Sequence, residues 1–186
     1  LSDTLILGIR VPGHTRRLLY SLRDDTARIH LVQQPLPNPP APPSFCQLLR
    51  ARIQGARIDS IQHMAGDRIV RLDLTSRDGP VSLLAELFSR NADLLFLDAE
   101  GRVVATLRHH KERVGQTYQA PAAASFRASP HEAVAPEPDT QPQSAQDPFP
   151  LSSRLEAFYR DRGAELSHQA QARERESGLR KHLKKF

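Results

Sequence analysis

The chain has 186 residues, 39% of them apolar, a mean hydropathy of −0.50, a net charge of +5 and a sequence pI near 9.9. That length holds one domain with a core plus polar segments outside it, and the basic excess suits a polyanionic partner. No apolar run nears the roughly 20 residues of a membrane helix, and the single cysteine, Cys46, excludes an internal disulfide, which fits a reducing, cytoplasmic compartment.

In chain order, "TLILGIR", "RRLLYSLR" and "ARIHLVQ" read as three strands, with turn signals "VPGH" and "RDDT" between them. Leu1 opens almost inside the first strand, so the chain reads as a fragment whose N-terminus is missing. The proline connector "PLPNPPAPP" (35–43) leads to a helix with Ser44 as N-cap, an apolar face of Phe45, Leu48, Leu49 and Ile53, and Gly55 at C′. Cys46 on this helix reads as a small buried apolar residue. Five more strands follow: "ARIDSIQH", "RIVRLDL", "VSLLAEL", "DLLFLD" and "RVVATLR", with "DAEG" (98–101) as a tight hairpin turn. The expected fold is α+β: a mainly antiparallel sheet or sandwich domain with one or two short helices.

Composition divides the chain into three parts. Residues 1–119 carry 16 Lys/Arg against 12 Asp/Glu and form the β-rich domain. Residues 120–150 hold seven of the 15 prolines and almost no apolar side chains, so they read as a disordered linker. Residues 151–186 are basic and helical, with Ser153 and Glu156 as a capping box and a thin apolar stripe that predicts the start of a coiled coil.

One strand raises a question about recognition. From Arg68 the run "RIVRLDL" alternates, with Val70, Leu72 and Leu74 on the expected core face and Ile69, Arg71 and Asp73 on the other. Arg68 is in phase with the apolar row. The connection "TSRDGP" is short enough to force an antiparallel hairpin. Centring it between Arg77 and Asp78 pairs Arg68 with Leu87, Asp67 with Phe88 and Ile69 with Glu86, give or take a slip of one or two residues. Two readings of Arg68 stand. It caps the sheet end by snorkelling, or it belongs to a recognition patch in which Arg donates to phosphates and base edges, a carboxylate accepts from exocyclic amines and Phe stacks on an unpaired base. Such a set suits a single-stranded RNA loop better than a duplex.

The ordered segments "RIHL", "PPSFCQLLR", "GARIDSI", "DRIVRLDL" and "LLAELFSRNADLLFLDAEGRVVATLRH" resemble the N-terminal domain of the NFACT family, the RqcH-type ribosome quality control factors long labelled fibronectin-binding protein A. The similarity covers about residues 4–119, and "LEAFYRDRG" resembles the start of the family's coiled-coil arms. The resemblance implies a fold like the N-terminal domain of formamidopyrimidine-type DNA glycosylases. It implies binding of tRNA, alanyl-tRNA in the bacterial members, and of an obstructed large ribosomal subunit holding peptidyl-tRNA, in support of C-terminal alanine tailing. The bonds are formed by the ribosome, so no enzyme activity, cofactor or metal is expected. The family's Asp-Arg pair falls on Asp67 and Arg68, and its Glu-aliphatic-Met contact patch on Glu86, Leu87 and Phe88. The Met is Phe here, a His-Ser-Asn run is replaced by Asn91 to Asp93, and the proline linker stands where a helix–hairpin–helix segment is expected.

Arg71 and Arg90, with Arg180, Lys181, Lys184 and Lys185 of "RKHLKKF", are candidate phosphate or rRNA contacts. Neither a P-loop, a Rossmann glycine pattern, a Gly-x-Ser-x-Gly elbow nor a Cys/His metal spacing occurs. The competing expectation is a fibronectin-binding surface adhesin, after the older label, and a repair enzyme follows from fold analogy alone. Oligomeric state is left open.

Overall fold

A computed structural model describes residues 3–24, 26–64, 68–108, 111–120 and 149–183, with Ser89, Ala170, Ala172 and 174–183 described by backbone alone. Among the described residues, eight strands and two helices follow one another: β1 (Thr4–Val11), β2 (His14–Ser21), β3 (Arg28–Val32), α1 (Ser44–Ile53), β4 (Arg57–His63), β5 (Ile69–Ser76), β6 (Gly79–Glu86), β7 (Asp93–Leu97), β8 (Val103–Thr106) and α2 (Pro150–Leu183). Short 3₁₀ turns stand at Ser89–Asn91 and Lys111–Arg113. The strands form a three-stranded sheet, β1-β2-β3, and a five-stranded antiparallel meander, β4-β5-β6-β7-β8. The expected α+β class and all eight predicted strands are therefore present.

By contacts the chain divides into two compact units, 1–29 with 33–132 and 30–32 with 133–186. In the second, α2 is a single 34-residue helix, and the His30 and Tyr159 rings stack with centroids 6.3 Å apart. The expected linker lies almost wholly outside the described residues, as do Asp67, Lys184 and Lys185. No helix among the described residues is long and apolar enough to cross a membrane.

The meander of the first unit is built by two-residue side-chain alternation that is buried on both faces at its centre. Leu83, Leu84 and Ala85 of β6 and every residue of β7 are buried. One face carries a core of Ile69, Leu84, Leu95, Leu97 and Val103, against which Phe88 and Tyr118 pack. Ile69 corrects the alternation expected for β5. It is fully buried whereas Val70 is only half-buried, because the segment after β8 folds back over what would otherwise be the solvent face. That segment returns along β8 through Gly115 N–H to Val103 O (2.7 Å), Val103 N–H to Gln116 O (2.9 Å) and Tyr118 N–H to Gly101 O (2.9 Å).

Both predicted helix caps are displaced. Ser44 is the first helical residue of α1, and Pro43 precedes it with no side-chain cap. The proline ring already sets the extended entry, and the Pro43 carbonyl accepts from Gln47 N–H at 3.1 Å. Likewise α2 begins at Pro150, where a proline's missing N–H costs nothing. Ser153 therefore lies within the first turn and bonds back to the Phe149 carbonyl. Gly55 occupies the predicted C′ position, with φ +79°. Cys46 is half-buried rather than buried, while Phe45 and Leu49 carry the helix's core contacts. The other predicted glycine turn is also present. Asp98 Oδ1 accepts from Glu100 and Arg102 N–H, and Gly101 takes φ +75°.

A single arginine ties the ends of the two sheets together. Arg108, just past β8, donates to the carbonyls of Leu22 and Ala92 and pairs with Asp3 (3.2 Å) and Asp24 (3.1 Å). Its side chain is 13% exposed.

Candidate RNA-recognition rim at the β5–β6 hairpin end

The register of the β5–β6 hairpin is the one the sequence arithmetic requires: Ile69 faces Glu86, and the pairs run inward to Ser76 and Gly79. Pairing continues one step past the ladder, where Leu87 N–H bonds the Arg68 carbonyl at 2.8 Å. Arg68, Leu87 and Phe88 thus share one end of one hairpin, all three half-buried. Phe88 also accepts, through its carbonyl, from Asn91 N–H (3.0 Å), which closes the 3₁₀ turn that follows. Part of its surface is spent on the core cluster, and part stays at the rim.

Glu86 is placed differently from the expectation. Its residue is 1% exposed. Arg113 Nη1 meets Oε2 at 2.8 Å and Nη2 meets Oε1 at 3.0 Å, and the Tyr118 hydroxyl donates to Oε1 at 3.0 Å. Arg113 also lies 5.2 Å from the Tyr118 ring centroid. A carboxylate in this strand, flanked by Leu84 and Ile69, is tolerable only with its lone pairs answered. Its hydrogen bonds to Arg113 hold that guanidinium's pKa above the ordinary value, and burial pushes the Tyr118 hydroxyl upward, with the Glu86 charge adding to it. Glu86 is therefore an internal anchor under the rim, and its carboxylate does not face a ligand.

Sequence reasoning missed Arg113 and Tyr118. The available signal was Glu86 itself: a carboxylate inside the apolar run "SLLAEL" requires a cation from somewhere else in the chain.

The remaining candidates scatter. Arg71 lies on the same sheet face, but its charge is answered by Asp73 (2.6 Å) and its Nη2 by Ser82 (3.0 Å). Burial alone would raise the Asp73 pKa, yet hydrogen bonds from Ser82, Arg71 and Ser60 outweigh it and hold the carboxyl below its usual value. Arg90 is exposed on the 3₁₀ turn after Phe88. Arg180 and Lys181 fall on the last turns of α2, where the backbone alone is described.

Residues 1–149 match the family described as NFACT N-terminal and middle domains. The chain is 33% identical over 143 residues to the Rqc2 homolog RqcH of Bacillus subtilis, covering 69% of this chain and 25% of that protein. It is 37% identical over 105 residues to the archaeal Rqc2 homolog aRqcH of Methanocaldococcus jannaschii, covering 56% of this chain and 15% of that one. The chain thus spans about a quarter or less of these relatives. Among solved structures, the N-terminal domain of the fibronectin-binding protein PavA from Streptococcus pneumoniae superposes with a TM-score of 0.59 at 29% identity, over 66% of this chain and 51% of that one.

Proposed function

Because the chain belongs to the family of NFACT N-terminal and middle domains, we propose that it is an RNA-binding ribosome quality control factor of the cytoplasm. In this reading it binds tRNA, alanyl-tRNA by preference, and the obstructed large ribosomal subunit with its peptidyl-tRNA. It supports alanine tailing of the stalled chain by positioning the tRNA and has no catalytic residues of its own. The names of its relatives, Rqc2 homologs among them, support the quality-control role. The observation that carries the tRNA contact is the hairpin register, which sets Arg68 beside Leu87 with Phe88 next in line.

Each rim residue has a chemical task. Arg68 donates a planar fork to phosphate oxygens or a base edge. Phe88 offers its uncovered surface to an unstacked base. Leu87 sets their spacing, and Glu86 holds the strand end from below. Asp67, next to Arg68 in sequence, accepts from an exocyclic amine. The test replaces Asp67 and Arg68 by alanine and measures tRNA recovered with the purified protein. The reading expects recovery to fall by tenfold or more; unchanged recovery removes these two residues from the site.

The likeness to the fibronectin-binding protein PavA favours a second reading, an adhesin. Its test is direct binding of fibronectin to the purified chain, with the Asp67/Arg68 variant as comparison. Adhesion unaffected by that variant, together with no tRNA recovery from the wild type, selects this second reading.

A further inference from the structure

The β1–β2 hairpin segregates charge along its length. From Thr4 to Arg23 the sequence has no Asp or Glu, but it has Arg10, His14, Arg16, Arg17 and Arg23. The acids that flank it, Asp3 and Asp24, lie at the hairpin's base, where Arg108 takes both. The outer half is left basic.

Its register sorts these cations by face. Gly8 faces Arg17, and Arg10 faces Thr15, so these four residues share one face. Arg10 and Arg17 are then diagonal neighbours, with Cα atoms about 7–8 Å apart on the usual sheet geometry. Arg16 faces Ile9 on the reverse side, and His14 stands beside the turn. Arg10 Nη1 reaches Thr15 Oγ1 at 3.5 Å and Arg17 Nη1 reaches the Gln33 carbonyl at 3.2 Å. Both acceptors are neutral, so neither guanidinium has its charge cancelled by a carboxylate among the described residues. Gly8 is exposed and carries no side chain, which opens the backbone beside Arg17 to close approach.

We propose that the outer half of this hairpin, through Arg10 and Arg17 with Arg16 and His14 at its margin, is a second RNA surface that binds the phosphate backbone irrespective of sequence. It rests on the proposed function in taking RNA as the polyanion. Its chemistry differs from that of the rim. The rim offers a ring and a fork to an unpaired base, whereas the hairpin offers positive charge on an extended scaffold with no Phe, Tyr or Trp among positions 8–17.

The experiment uses the 186-residue chain, a labelled oligouridylate and unfractionated deacylated tRNA, titrated across about 50–200 mM salt. Two contacts on a single strand contribute about 1.4 to the slope of log K against log salt. Arg10→Gln with Arg17→Gln is expected to lower that slope by about this amount and to weaken both RNAs by on the order of tenfold. A gentler variant guards against misfolding. A Cβ at Gly8 meets only the Thr15 methyl, at 3.7 Å, and Gly8 is not at positive φ. Gly8→Glu therefore fits and sets a carboxylate opposite Arg17, and Gly8→Gln is its neutral twin. Weaker oligouridylate binding by Gly8→Glu than by Gly8→Gln, at equal melting temperature, supports the surface. Equal binding by the two overturns it, as does a wild type that binds tRNA but not oligouridylate.

Arg68→Ala separates this inference from the rim. If it abolishes the preference for tRNA over oligouridylate while the hairpin variants change nothing, the rim stands and the hairpin proposal falls. If the hairpin variants weaken both RNAs and Arg68→Ala leaves that preference intact, the hairpin stands and the rim falls. Hairpin variants that lose binding to vesicles of anionic phospholipid but keep RNA binding overturn the proposal in favour of a lipid surface.

Discussion

Glu86 and Arg113, 27 residues apart in the chain, meet as carboxylate and fork, with two N–H···O bonds of 2.8 and 3.0 Å at the end of the β5–β6 hairpin, beneath the proposed rim. The pair is closed from the side by Tyr118, whose hydroxyl takes part in the same carboxylate. Removing Arg113 leaves the buried Glu86 carboxyl with the Tyr118 hydroxyl as its remaining partner among the described residues. Arg113→Met is therefore expected to cost about 3–5 kcal/mol. Glu86→Leu with Arg113→Met restores most of that, since an apolar pair suits the surrounding leucines. Urea denaturation of the single and double variants measures both, and a double variant as unstable as the single one contradicts this account of the pair.

Arg108 makes a prediction about where stability resides. It is the residue that reaches Leu22, Asp3 and Asp24 at the base of the β1–β2 hairpin from the far edge of the meander. Arg108→Ala is expected to cost about 1–3 kcal/mol, chiefly from the carbonyls of the buried residues Leu22 and Ala92 losing a donor, since the Asp3 and Asp24 carboxylates are exposed enough to be answered by water. The loss is uneven. Amide exchange in β1 and β2 rises well above that in β6 and β7, whose burial on both faces does not depend on Arg108. Uniform acceleration across both sheets would contradict a linking role.

Acid stability is expected to depend on Asp73. Its folded pKa lies below the ordinary value of 3.8. A depressed carboxyl stabilises the folded state above the unfolded pKa and loses that contribution as pH falls through the folded one. The Asp73 contribution should thus be constant above about pH 5 and fall away below about pH 4. Asp73→Asn should be less stable than wild type at neutral pH and should converge on it in acid. Melting curves across that range test this, and parallel curves for the two proteins would argue against it.

The "DAEG" turn gives a local test. Gly101 takes φ +75° with open space about it, so Gly101→Ala is penalised by backbone conformation and not by a clash. About 1 kcal/mol is expected. Thermal melting reads it out, and Asp98→Ala should add to it, because the Asp98 side chain accepts from two amides of the same turn.

Local pattern reached most of the fold. The strands from "TLILGIR" to "RVVATLR", the glycines at positions 55 and 101 and the pairing of Ile69 with Glu86 depend on period-two alternation and turn length, which are properties of neighbouring residues. The helix starts were misplaced by sequence reasoning because proline and a capping hydroxyl compete for the same few positions, and here Pro43 and Pro150 set the boundary.

What the sequence determined by itself is the strands, the register of the β5–β6 hairpin and the meeting of Arg68 with Leu87 and Phe88. What only the tertiary structure decided is which side of each strand stays wet. The chain after β8 returns over the sheet, buries Ile69, and turns Glu86 from an expected ligand contact into an anchor held by Arg113 and Tyr118. The physical reason is distance along the chain. Alternation places side chains on faces, but whether a face meets water depends on a segment some 27 residues away, whose return no local propensity encodes.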